Sequence, residues 1–172
     1  MTAGSWGGQG GLVPREELAR ELERLRAERP GLRVVLANGC FDLLHAGHVR
    51  YLAGARARGD LLVVALNTDS SARELKGPGR PLVPLEDRAE VVVALASVDF
   101  VTAFPERDLE ATLRLLRPQV HAKGTDYTPE SVPERALDRE LGIEIAICGD
   151  PKRRSSSAIV QRMQEGGPEP GR

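Results

Sequence analysis

Five short, nearly unbroken apolar runs punctuate the chain, at 33–37, 61–66, 98–102, 119–122 and 143–147, and stretches of helical spacing separate them. Runs of this length suit strands buried on both faces, because a half-exposed strand alternates with polar residues and a helix needs more length. Strand and helix in regular alternation lead to an α/β fold, a Rossmann-like doubly wound parallel sheet of about five strands with helices on both faces. The expected helices cover 14–29, 45–58, 85–96, 106–116 and 133–141, with a last one at 156–165. The first places Pro14 in its opening turn and repeats Leu18, Leu22 and Leu25 at helical spacing. Open sheets of this kind bind ligands outside the carboxyl ends of their strands. A site is therefore expected just after Ala37, Leu66, Ala122 and Ile147.

At 172 residues the chain fits a single domain, assigned to 14–164. The flanking segments 1–13 and 165–172, rich in Gly and Pro, read as disordered tails. The glycines near the start make no phosphate-binding P-loop, since no strand precedes them and no Gly-Lys-Ser/Thr follows. Cys40 and Cys148 are too few for a disulfide framework and read as reduced thiols. No signal-peptide pattern opens the chain, and its apolar runs are too short to cross a bilayer. A cytoplasmic location with no membrane partner is expected. A formal net charge of −1 and few aromatics count against a nucleic-acid partner.

Directly after the first expected strand the sequence reads Asn38-Gly39-Cys40-Phe41-Asp42-Leu43-Leu44-His45-Ala46-Gly47-His48. Gly39 permits a sharp exit from the sheet. His45 and His48, three apart at a helix start, can present both rings on one side of the first turn. A helix N-terminus offers free N–H groups and partial positive charge, which suits phosphate. Gly47 leaves room for a ligand between the two imidazoles. Two such donors fit an α-phosphate, whose non-bridging oxygens gain charge during attack. As a metal site the pair would need a third ligand, for which His121 or Asp42 is available, but its spacing is a poor zinc signature. His121, at the end of a buried strand, reads as structural.

The string Asn38 to Leu52 resembles the GxFDxxHxGH signature of the cytidylyltransferase-like nucleotidyltransferases. Within that family the chain is most similar to the heptose 1-phosphate adenylyltransferase type. The likeness rests on Asn67-Thr68-Asp69, Arg73 to Gly77, Arg80-Pro81, Glu86-Asp87-Arg88 and Ala122 to Glu130, and it runs from about Pro14 to Met163. The resemblance implies His45, His48 and Lys76 as catalytic groups. It implies nucleotide contacts from Gly39, Cys40, Phe41, Gly47, Arg88, Lys123, Gly124, Asp126, Ser155, Ser156 and Ser157, substrate contacts from Asp42 and Arg80, and no metal-binding side chain. Two departures stand out. Ser155-Ser156-Ser157 replaces a serine-threonine-threonine run, and Thr125 stands where the heptose type has glycine.

The implied reaction moves AMP from ATP to a sugar 1-phosphate, giving an ADP-sugar and pyrophosphate, with Mg2+ accompanying ATP. A separate sugar kinase is the expected upstream partner, and a homodimer is left open. The rivals are a cytidylyltransferase acting on glycerol phosphate and, from another class, a catalytically silent nucleotide-binding regulator. The residues themselves add one argument. Arginine fills almost every basic position, yet Lys76 and Lys123 remain lysine, each beside a glycine in an expected loop. A compact ammonium suits a cramped site between phosphates better than a planar guanidinium. Three hydroxyls at 155–157 exceed what capping the last helix requires, so they are expected to hold the outer phosphates.

Overall fold

The computed structural model describes residues 11–150 and 159–161. Five strands, β1 (Val34–Gly39), β2 (Leu61–Asn67), β3 (Phe100–Phe104), β4 (Val120–Gly124) and β5 (Glu144–Cys148), form one wholly parallel sheet. Its order is β3-β2-β1-β4-β5. Six helices connect or flank them: α1 (Arg15–Glu28), α2 (Ala46–Arg56), α3 (Asp69–Lys76), α4 (Leu85–Val93), α5 (Glu110–Leu116) and α6 (Arg135–Leu141).

The apolar runs are continuous because both sheet faces are covered. Along β1 and β2, Val35, Ala37, Leu62 and Val64 face Leu52 and Ala55 of α2 and Ala89 and Val92 of α4. Alternate residues Val34, Leu36, Val63 and Ala65 face Leu18 and Leu22 of α1, Leu113 of α5 and Leu137 of α6. Successive side chains of a strand point to opposite faces, so one run feeds two cores.

The elements depart from the expected boundaries in physically readable ways. β3 begins two residues later than the apolar run, because Asp99 is used in the turn, where its carboxylate accepts from Leu62 N–H at 2.7 Å. α5 starts at Glu110 instead of 106: Glu106 is drawn to Arg15 (2.8 Å), and the Asp108 carboxylate caps Glu110 N–H at 3.0 Å. α3 was not expected at all. Its start is rich in Thr, Asp and Ser, which favour loops, yet Thr68 caps it by accepting from Ser71 N–H. The tail expected at 1–13 needs correcting at its end. Leu12 pairs in parallel with Val101 of β3, Val13 N–H donates to Val101 O at 2.8 Å, and Val13 is buried. Of the helix expected at 156–165, residues 159–161 are helical and the remainder lies outside the described residues.

Candidate active site

A cleft of about 1140 Å³ opens at the carboxyl ends of β1 and β4. From β1 the chain steps outward to β2 and β3, then crosses back to place β4 on the other side of β1. Loops leave the two neighbours in opposite directions there, and the gap between them is the crevice.

One wall is the turn from β1 into α2. Phe41 adopts a left-handed φ of 47° and buries its ring against His48, at a centroid distance of 5.1 Å, and Tyr51, at 6.4 Å. Gly39 is required for space: a Cβ there would lie 2.9 Å from the Phe41 ring. The sequence expectation of a sharp glycine turn gives way to this packing reason. His45 caps α2, its Nδ1 accepting from Gly47 N–H at 3.1 Å. With Nδ1 used as an acceptor, a neutral ring carries its proton on Nε2. Gly47 makes room for that imidazole, since a Cβ would meet its Cε1 and Nδ1 at 2.9 Å. The His45 and His48 rings stack at 3.9 Å and 21°, both half-buried. Tyr51 ties α2 to the far side of the cleft by donating to Ala122 O at 2.8 Å, and burial raises its hydroxyl pKa.

Around this wall most charged groups are already engaged. Asp42 accepts from Leu82 N–H (2.7 Å) and Val83 N–H (3.0 Å) and pairs with Arg80, so it fixes the segment leading into α4. Arg88 is fully buried, donating to Val83 O (2.9 Å), Cys40 O (2.6 Å), Asn67 O (3.0 Å) and the Asp69 carboxylate (2.6 Å). Lys123 donates to Asn38 Oδ1 at 3.1 Å and pairs with Glu134 at 3.2 Å. Thr125 Oγ1 donates to Asp150 O at 2.8 Å, and Arg50 pairs with the Asp150 carboxylate at 2.7 Å, which joins the β4 and β5 loops to α2. Lys76 differs. It is exposed at the end of α3, on the cleft wall, and pairs with no carboxylate among the described residues. Burial raises the Cys40 thiol above its ordinary pKa, with Lys76 and Arg88 opposing that shift.

The fold brings Gly39, Cys40, Phe41, Asp42, His45, Gly47, His48, Lys76, Arg80, Lys123, Gly124 and Asp126 to one cleft. Arg88 lies beneath the cleft instead of on its wall, and its guanidinium is spent on main-chain carbonyls. Lys76 ends a helix and Lys123 lies within β4, so neither sits in the loop expected for it. Ser155, Ser156 and Ser157 fall outside the described residues. Asn38, Asn67 and Tyr51 also line the cleft and were given no role from sequence. All three lie within the segments that carry the likeness, and their further signal was position, at a strand end or one turn beyond the histidines. Among the described residues no group of three or more His, Cys, Asp or Glu is placed to hold a metal ion, and no helix is long and apolar enough to cross a membrane.

Comparison with known proteins agrees with this geometry. The family model described as Cytidylyltransferase-like matches residues 36–162. The bifunctional protein HldE of Syntrophotalea carbinolica is 45% identical over 149 residues, covering 87% of this chain and 30% of that protein. HldE of Gluconacetobacter diazotrophicus is 42% identical over 165 residues, covering 96% of this chain and 34% of that one. The chain thus spans about a third of the length of these curated relatives. Among solved structures, the lipopolysaccharide core biosynthesis protein from Thermoplasma volcanium GSS1 superposes with a TM-score of 0.61 at 28% identity. That match covers 71% of this chain and all (100%) of the other.

Proposed function

This chain belongs to the cytidylyltransferase-like family, and on that premise we propose that it transfers AMP from ATP to a sugar 1-phosphate, a heptose 1-phosphate, giving an ADP-sugar and pyrophosphate. The observation that carries the reading is the stacked His45–His48 pair at the first turn of α2. With Nδ1 accepting from Gly47 N–H, a neutral His45 ring carries its proton on Nε2, the tautomer that can donate toward phosphate. The choice of sugar rests on likeness to the HldE proteins and on the Ala122 to Glu130 segment that begins in β4.

An oxygen of the sugar phosphate attacks the α-phosphorus of ATP. The bond from that phosphorus to the bridging oxygen breaks, and pyrophosphate leaves in line. The attacking oxygen is already anionic near neutral pH, so no general base is needed. The protein contributes alignment and charge stabilisation. The two imidazoles, at the positive end of the α2 dipole, face the charge that builds on the α-phosphate oxygens. Lys76, exposed and paired with no carboxylate among the described residues, can follow the outer phosphates. Magnesium accompanying ATP supplies further neutralisation; the described residues offer it no protein cage, so phosphate oxygens and water would hold it.

Pyrophosphate release tests the proposal, with ATP, CTP, GTP and UTP each assayed against a panel of sugar phosphates and glycerol phosphate. ATP with a heptose 1-phosphate should give the highest kcat/KM. A higher value for CTP with every acceptor would transfer the assignment to a cytidylyltransferase. No release with any pair would favour a regulator.

A further inference from the structure

His121 and Lys123 lie two apart on β4, and both project to the α6 side of the sheet, as does Asn38 of β1. From α6 and its N-cap come Asp138 and Glu134, four apart and on one side of the helix. The result is two acid–base rungs. Asp138 pairs with His121 Nδ1 at 3.0 Å, and both residues have 0% exposure. Glu134 pairs with Lys123 at 3.2 Å nearer the cleft. Asn38 Oδ1 stands between the rungs, 3.1 Å from Lys123 Nζ and 3.5 Å from His121 Nε2.

Stability alone gives little reason for the deeper rung. A buried polar pair in the middle of a parallel sheet is often no better than apolar residues of the same volume. Its neighbours in register are apolar, Leu36 on β1 and Ile145 on β5. What the pair does accomplish is orientation. The Asp138 carboxylate fixes the plane of the His121 ring, and the ring limits where the Asn38 amide can sit. Asn38 Oδ1 in turn is the neutral acceptor that, together with Glu134, holds the Lys123 ammonium at the cleft floor.

We infer that His121 and Asp138 are positioning residues that act through Asn38 to hold Lys123 at the nucleotide cleft. The inference rests on the functional reading only in taking the cleft as the place where phosphate binds. Its primary test needs no substrate.

The chain has only three lysines, Lys76, Lys123 and Lys152, so amine labelling can be read site by site. The full chain is treated with a limiting acylating reagent, and modification of Lys123 is measured by peptide mass spectrometry relative to Lys76. Two variants are compared with the parent: Asp138→Asn, which keeps the shape, and the apolar double replacement His121→Leu with Asp138→Leu, which avoids leaving one buried partner alone. Labelling of Lys123 should rise about tenfold in both, the order of one lost hydrogen bond, while Lys76 stays constant. Unchanged Lys123 labelling in a folded variant overturns the inference. Equal rises at Lys76 and Lys123 also overturn it, because they indicate general loosening. A double-mutant cycle with Lys123→Met, read as pyrophosphate release, adds a functional check. If the pair acts through Lys123, its replacement should cost no further activity in the Lys123→Met background, whereas additive losses would show an independent role.

Discussion

At the rim of the cleft Lys76 is exposed and pairs with no carboxylate among the described residues, whereas on its floor Arg88 and Lys123 are buried and already hold Asp69 and Glu134. All three are basic groups next to the same space. The floor cations have given up water, so they must keep their partners, and they fix the shape of the crevice. The rim cation keeps its hydration and its freedom, so it can move with a ligand. The difference separates two ways in which a basic group can serve one cleft, by holding its shape or by staying available to a ligand.

The sharpest way to break this comparison is at Arg88. Replacing it with Met leaves three carbonyls and Asp69 without their donor, and should cost about 3–5 kcal/mol in a urea melt. A variant that keeps its stability but no longer binds ATP would move Arg88 from the floor to the ligand. Next comes His48→Ala, which should lower kcat by roughly 10²–10³ through loss of one transition-state donor, with the melting temperature nearly unchanged. Near-parental turnover would remove the histidine pair from the mechanism. Lys76→Arg keeps the charge but widens it into a fork. We expect kcat/KM to fall roughly tenfold, the equivalent of one charge-assisted hydrogen bond. Full activity would reduce Lys76 to a surface charge. The smallest effect belongs to Thr125→Gly, which releases the exposed bond to Asp150 O and should cost about 0.5 kcal/mol. A larger loss in the melt would show that the clasp between the β4 and β5 loops supports the whole edge of the sheet.

The strands and the histidine turn were legible in the sequence because each rests on a local signal. Continuous apolar runs mark strands covered on both faces, and the segment from Gly39 to His48 carries its geometry within ten residues. What the sequence hid was partnership over distance. Nothing local tells that Arg88 reaches Cys40 O, that Asp42 holds the Leu82 and Val83 amides, or that Glu134 occupies Lys123. The lysine argument named two residues that the fold brings to the cleft, but it had no way to tell that one is exposed and the other buried. α3 escaped because Thr, Asp and Ser near a helix start look like a turn until the cap at Thr68 is seen. At Gly39 and Gly47 the structure adds a packing reason that no local signal carries, since a Cβ would meet the Phe41 ring at one and the His45 imidazole at the other.

The pairing of β1 with β4 also sets a timetable. Asn38 and Lys123 meet although they lie 85 positions apart in the chain, whereas β2 can dock on the other edge of β1 soon after α2 is made. During synthesis at about 5–20 residues per second, the β4 edge of β1 therefore waits roughly 4–17 s for its partner. Through that interval it shows a row of unpaired main-chain groups flanked by Val35 and Ala37, the kind of edge on which nascent chains stick to one another. The crevice comes into being only when this edge closes. A newly made chain thus shows this open edge just before the cleft exists, and a ligand of the cleft can protect it only afterwards.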